Sequence, residues 1–441
     1  MLQRTPLMTP VVSRLGRALL VPTRWRGLLA GTLLAACLPS QAQSLEAMAR
    51  QALEHDATYL AAMAQVKANE AKATQSAALN RPTVAVGASA SQSQTPGRSA
   101  STLNQASLSA SQPLYRPANQ ASVAQGEVSL SLAQAQRRNA EQDLMVRVSQ
   151  AYFDLLTAQN QLAVVRSSKQ AVSEQLAAAK RNFEVGTTTI TDTREAQAQF
   201  DRISASEIAA SNDLRSKRLA LAQITGLENP QPLDLSTALP DPTQTALANY
   251  VAQALEQHPT MLLARGALTN ARLEVDKAKG GTLPTLDLKA SHTTKTASTG
   301  KALTSVALEL NWAVFTGGAT QNKIAEALAL QDKAQADLDG AQRGVTQSVR
   351  NAYFGVESGL GQVRALQAAE ASSQSALDAN KLGYDVGVRI NIDVLNAQTA
   401  LFQTKADLAK ARYGVALGAL KLQQAVGSLT LQSLQQTLGG G

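Results

Sequence analysis

The chain has 441 residues, 44% of them hydrophobic but only 3% aromatic, too few large rings for the several conventional cores that this length would allow. Three histidines (His55, His258, His292) and a single cysteine, Cys37, exclude a His/Cys metal centre and an intrachain disulfide. Of the net charge of +8, the larger part comes from five arginines within residues 1–42, where there is no acid. The remaining charges are mixed in sign, without the basic stripe that a nucleic-acid partner requires.

Arginines up to Arg26 precede an apolar run from Gly27 to Leu38, about half the length of a membrane-spanning helix. Residues 1–42 therefore read as a signal peptide, with Ser40 and Ala42 as the small residues before the cut and Gln43 as the mature N-terminus. Leu34-Ala35-Ala36-Cys37 also has the form of a lipobox, which would make Cys37 a lipid anchor. No later segment approaches eighteen unbroken apolar residues, so no transmembrane helix is expected.

All fourteen prolines lie outside two stretches, 118–229 and 285–441, both rich in Ala, Gln, Leu and Ser. In the first, Leu144, Val148, Ala151, Leu155, Ala158, Leu162 and Val165 step by four and three, the spacing of a coiled-coil seam. In the second, Ile392, Leu395, Thr399, Phe402, Ala406, Ala409, Tyr413, Ala416 and Leu420 do the same. A helix from Ala118 to Asn182 would be on the order of 100 Å long, too long for a compact domain.

The chain also repeats itself at an offset near 200 residues. Gln51-Ala-Leu-Glu54 returns as Gln253-Ala-Leu-Glu256, Ala151-Tyr-Phe153 as Ala352-Tyr-Phe354, and Phe183-Glu-Val-Gly186 as Tyr384-Asp-Val-Gly387. Each half reads helix, strand pair, very long helix, turn, helix. The first repeat covers 43–226 with its strands in 82–115, and the second covers 246–427 with its strands in 284–315. A proline-bearing linker, 227–245, joins them, and 428–441 form a tail.

Within the strand segments the period switches to two. Val306, Leu308, Leu310, Trp312 and Val314 share one face, against Ser305, Ala307, Glu309, Asn311 and Ala313 on the other. Leu286, Leu288 and Ala290 alternate likewise, as do Val84, Val86 and Ala88, and polar tips at 91–102 and 293–301 separate the strands. Strands of roughly ten residues with one apolar and one polar face carry the signature of an outer-membrane barrel. Four strands cannot close a barrel with a lumen, so the chain is expected to oligomerise, with three protomers supplying twelve strands.

At Leu283-Pro-Thr-Leu-Asp-Leu288, Asn182-Phe-Glu-Val-Gly-Thr187 with Ile190-Thr-Asp192, Gln223-Ile-Thr-Gly226, Gly383-Tyr-Asp-Val-Gly-Val-Arg389 with Asp393-Val-Leu395, and Leu408-Ala-Lys-Ala-Arg-Tyr413, the sequence resembles the TolC family of outer-membrane channel-tunnel proteins. The likeness runs from about Ser44 to about Leu434. It implies an α+β membrane protein: a homotrimer with a twelve-stranded β-barrel in outer-membrane lipid, continued by a coiled-coil helical barrel across the periplasm of a Gram-negative bacterium. It also implies docking, through a periplasmic adaptor, to an inner-membrane RND or ABC transporter, with no cofactor. If one helix rises from Ser44 to Leu79 into the barrel, its start lies about 54 Å below the membrane. The seven residues back to Cys37 span only about 25 Å, which favours plain cleavage near Ala42 over lipidation.

The resemblance also places a gate near the Val-Gly turns. Tyr384, Arg389, Asp192 and its neighbour Thr191 match positions that hold neighbouring helices together, and a phenol or a guanidinium suits a carboxylate partner. Asp393 matches a position that projects into the lumen, where three copies would form a cation-attracting ring. This chain has Asn396 where relatives carry a second acid, so the ring should be weaker. The turns Val185-Gly186-Thr187 and Val386-Gly387-Val388 resemble tips gripped by adaptor hairpins. A secreted flagellin-like filament would share the long helices and scarce aromatics, but not the signal peptide or the alternating strand pairs. No grouping of nucleophile, base and phosphate loop points to an enzyme or to catalytic residues.

Overall fold

The computed structural model describes residues 44–94, 96–97, 100–234, 239–241, 245–296 and 302–437. The expected signal peptide, Cys37 and the expected cleavage at Ala42 lie outside the described residues. The duplication read from the sequence organises everything else. The first repeat comprises α1 (Leu45–His55), α2 (Ala57–Ala77), β1 (Thr83–Ser93), β2 (Ser101–Tyr115), α3 (Pro117–Glu184) and α4 (Ile190–Thr225). The second comprises α5 (Leu247–Gln257), α6 (Pro259–Gly280), β3 (Thr285–Thr296), β4 (Leu303–Asn311), α7 (Ala319–Asp385) and α8 (Asn391–Val426), followed by α9 (Leu431–Thr437).

At 1.5 Å per residue, α3 with 68 residues and α7 with 67 are each on the order of 100 Å long. Pro117 opens α3 at the first turn, where its missing N–H costs nothing. The single helix expected from Ser44 to Leu79 is instead two. Asp56 leaves helical geometry (φ −68°, ψ 117°) and its carboxylate accepts from the Tyr59 N–H at 2.9 Å, capping α2. The second repeat breaks at the matching place, where His258 Nδ1 accepts from the Thr260 N–H at 3.1 Å and Pro259 starts α6.

The four strands form one antiparallel sheet in the order β1-β2-β3-β4, so the β2–β3 pair joins the two repeats. Register keeps the faces distinct. Val84, Ala110, Ala290 and Val306 are successive cross-strand neighbours on one face, and Ala85, Ser109, Ser291 and Ser305 on the other. Two boundaries differ from the sequence reading. Trp312 and Val314 lie beyond β4, because Asn311 already pairs with Thr285, the first residue of β3. Trp312 Nε1 instead donates to the Thr282 carbonyl at 3.0 Å. β1 and β3 also run three and four residues into the expected polar tips, to Ser93 and Thr296; backbone pairing does not require apolar side chains.

Leu144, Val148, Ala151, Leu155, Ala158 and Leu162 are all buried in α3, as the heptad spacing requires. The first four contribute to the principal core, where α1 (Leu45, Met48), α3 and α8 (Ala416, Leu420) meet Leu429 and Leu434. Burial of each leucine there contributes about 1.5–3 kcal/mol. The linker is tied to this core by two phenols: Tyr152 Oη donates to the Leu233 carbonyl and Tyr413 Oη to Asp234 Oδ1, both at 2.8 Å. Burial, the leading cause at each, pushes both phenols well above their ordinary titration range.

Candidate channel gate

Helices α3 and α7 end in the same left-handed cap. Gly186 and Gly387 both have φ 77°, and a Cβ at either would meet nothing within 4 Å. Backbone conformation, and not close approach, therefore requires glycine. The Thr187 N–H donates to the Asn182 carbonyl at 2.8 Å and the Val388 N–H to the Gly383 carbonyl at 2.9 Å, satisfying carbonyls that a helix end leaves free. The turn valines point outward: Val185 is 73% exposed and Val388 77%.

The two hairpins then diverge. In the first, Thr189 caps α4 by accepting from the Asp192 N–H at 3.3 Å, and Asp192 Oδ2 accepts from both the N–H (3.0 Å) and the hydroxyl (2.9 Å) of Thr189. In the second, Ile390 precedes α8 without any side-chain cap. Arg389 folds over Gly383, whose absent side chain makes the space: a Cβ there would stand 2.7 Å from Arg389 Cγ. The Arg389 guanidinium reaches Asp393 Oδ2 at 3.7 Å across the first turn of α8.

The structure of the single chain therefore distributes the expected gate residues in a specific way. It brings Arg389 to Asp393, and it brings neither Tyr384 nor Arg389 to the Asp192 carboxylate, which is engaged three residues away by Thr189. The reason is proximity along the chain: a capping box and an i,i+4 pair form within one helix end, whatever the neighbours do. Tyr384 packs among Leu377, Val394 and Leu401, and its buried hydroxyl has no hydrogen-bond partner among the described residues. Asp393 is half-buried, while Thr191 and Asn396 are exposed.

Residues that sequence reasoning passed over complete the site. Asn391, the first residue of α8, is 1% exposed, and Gln175 Nε2 on α3 donates to its Oδ1. Two turns along α8, Gln199 Nε2 on α4 donates to Thr399 Oγ1 at 3.1 Å. Between these amide contacts, Leu395 is buried against Val172 of α3 and Ile203 of α4. The only sequence signal was an amide at position 391 beside a seam beginning at Ile392. Between α3 and α4, Arg166 (3.1 Å) and Lys169 (2.9 Å) both reach Glu207, and these two bonds hold its carboxyl below the usual range.

The profile of the outer membrane efflux protein family matches residues 48–227 and 250–428, one segment in each repeat. The TolC outer membrane protein of Vibrio cholerae is 32% identical over 412 residues, covering 90% of this chain and 94% of that protein. The alkaline protease secretion protein AprF of Pseudomonas aeruginosa is 31% identical over 322 residues, covering 69% and 66%. Among solved structures, the CusC channel superposes with a TM-score of 0.80 over 88% of this chain and 93% of that one, at 18% identity, a likeness of fold. The chain belongs to the outer membrane efflux protein family, the TolC-type channels that form the outer-membrane exit duct of efflux or type I secretion.

Proposed function

We propose that the chain works as a homotrimer whose twelve strands close a barrel in the outer membrane and whose helices close a gated tunnel in the periplasm. One observation carries the assembly. Aligning the repeats on Gly186 with Gly387 and on Gly226 with Gly427 pairs α8 with α4 without a gap. Leu395, Tyr413, Ala416 and Leu420 of α8 are buried on α3, whereas the matching Arg194, Asn212, Arg215 and Leu219 of α4 are all exposed. On the other side of the pairing, Phe153 of α3 is 2% exposed and stacks on Tyr413 with centroids 6.1 Å apart, while its counterpart Phe354 of α7 is 52% exposed. Repeating the α3–α8 contact as α7 against α4 of the next protomer covers both faces, and a ring of such contacts closes on itself. The open edges of β1 and β4 require the same closure.

In this reading the gate lies at the turns. Tyr384 and Arg389 hold the second-repeat hairpin shut, Asp192 and Thr191 offer partners, and Asp393 forms a lumen ring weakened by Asn396. The exposed Val185, Val386 and Val388 tips, with Gly186, Thr187 and Gly387 shaping them, fit the apolar grip of a periplasmic adaptor that links the duct to an inner-membrane RND or ABC transporter. Planar-bilayer recording tests the gate: Tyr384→Phe with Arg389→Ser should raise the resting conductance several-fold in an intact trimer. Wild-type conductance from that double variant would refute the assignment.

A further inference from the structure

The contact between Gln175 and Asn391 has no equivalent in the other half of the molecule. Asn391 stands at the mouth of α8, 1% exposed, with its Oδ1 bonded by Gln175 and its buried Nδ2 left without a partner among the described residues. Burial of a primary amide in this way costs free energy unless its hydrogen bonds are made. Such a group favours the one helix alignment in which its bond forms over any displaced arrangement. Under the alignment of the repeats, Gln175 corresponds to Ala376 and Asn391 to Ile190. Neither counterpart can make a side-chain hydrogen bond. The second contact behaves alike, since Gln199 and Thr399 correspond to Ala400 and Ala198.

We infer that Gln175 and Asn391 form a further latch of the closed state, fastening the mouth of α8 to α3 within each protomer, with Gln199 and Thr399 as a second rung. This inference rests on the gate reading above and adds positioning residues to it. The Arg389–Asp393 pair lies at the same end of α8 but is local to it, so the amide bond to Gln175 is the polar contact that ties this end of α8 to α3. Moving α8 away from α3 must break the amide bond and expose Leu395 from between Val172 and Ile203. The two rungs bracket that apolar contact, which makes the separation of α8 from the α3–α4 pair a single concerted event.

The test is a double-mutant cycle on resting conductance, with the trimer verified on unheated gels. Gln175 is half-buried, so Gln175→Leu leaves the fold intact where Asn391→Leu disturbs packing. Each single change should raise conductance several-fold, and the double should conduct no more than the larger single, because one bond is lost only once. Gln175→Glu should stay closed, since a carboxylate accepts from the unpartnered Asn391 Nδ2 in a charge-assisted bond. Additive singles, or a Gln175→Glu channel as open as Gln175→Leu, would overturn the pairing. If Gln175→Leu conducts like wild type while Tyr384→Phe with Arg389→Ser opens the channel, the latch is wrong and the gate stands. If neither opens it, both fall.

Discussion

Helices α4 and α8 occupy matching places in the two repeats and have the same length, 36 residues, yet they live in different surroundings. Helix α8 is buried on two sides: Leu395, Tyr413 and Ala416 face the first repeat, and Val394, Leu401 and Val415 face α7. Helix α4 is covered by α3 along one stripe, with Ala196, Ile203 and Leu221 buried, and shows Ile208 (74% exposed) and Leu219 (70%) on another. A duplicated unit that satisfies itself at one seam and leaves the matching seam bare is an open segment of a ring. This fold is therefore not complete in one chain, although each of its helices is.

The largest expected effect lies at the paired phenylalanines. Phe153→Ala should cost about 3–5 kcal/mol in any state that contains the folded protomer, because it empties a slot between Tyr152 and Tyr413. Phe354→Ala should spare the isolated chain and lower the dissociation temperature of the assembly; unchanged dissociation would sever the analogy between the seams. On the sheet, Leu308→Arg and Leu310→Arg should cost about 2–4 kcal/mol near the bilayer midplane, with Glu309→Arg on the opposite face far milder. Equal loss of heat-modifiable trimer for both sets would show that the apolar face does not meet lipid. The same duplication transfers the β2–β3 register to β4 and β1 of a neighbour and sets Glu309 opposite Ser89. The pair Ser89→Cys with Glu309→Cys should therefore link protomers on oxidation, and a monomeric band would break the ring.

Smaller effects separate the two helix breaks. At Asp56, burial would raise the carboxyl, but bonds from Arg147 (3.0 Å) and the Tyr59 N–H outweigh it and hold the group below its ordinary value of 3.8. Its contribution is complete above pH 3.8 and is lost only as pH falls through the lower folded value. Burial also lowers His258, from an ordinary value of 6.5. Here the unfolded chain takes the proton first as pH drops below 6.5, so stability declines through that range. Melting curves between pH 7.5 and 5 should show a modest slope that His258→Asn removes and Asp56→Asn does not. Smallest of all, Asn396→Asp should tighten block by multivalent cations added on the periplasmic side, and Asp393→Ala should relieve it.

Much of the architecture was legible because it is local. The four-and-three spacing of Leu144 to Leu162 dictates which stripe of α3 is buried. Alternation from Val306 to Leu310 separates the faces of β4, and a glycine after Val185 or Val386 stops a helix wherever the chain runs. These patterns depend on backbone geometry within a few residues, and so they survive without any partner. The break at Asp56 was hidden because the apolar pattern continues across it, and aspartate caps a helix as readily as it decorates one. Trp312 carried the alternation past the end of its partner strand, a limit set by Thr285 and not by Trp312. The pairing of Gln175 with Asn391 joins residues 216 positions apart, and each amide alone reads as solvated surface. Arg389 was matched to a partner across helices, but its nearest acid was four residues on. Periodicity, duplication and turn chemistry belong to the chain itself. Which polar group meets which is decided by the crossing of α3, α4 and α8, because hydrogen bonds between helices depend on distances that sequence spacing does not encode.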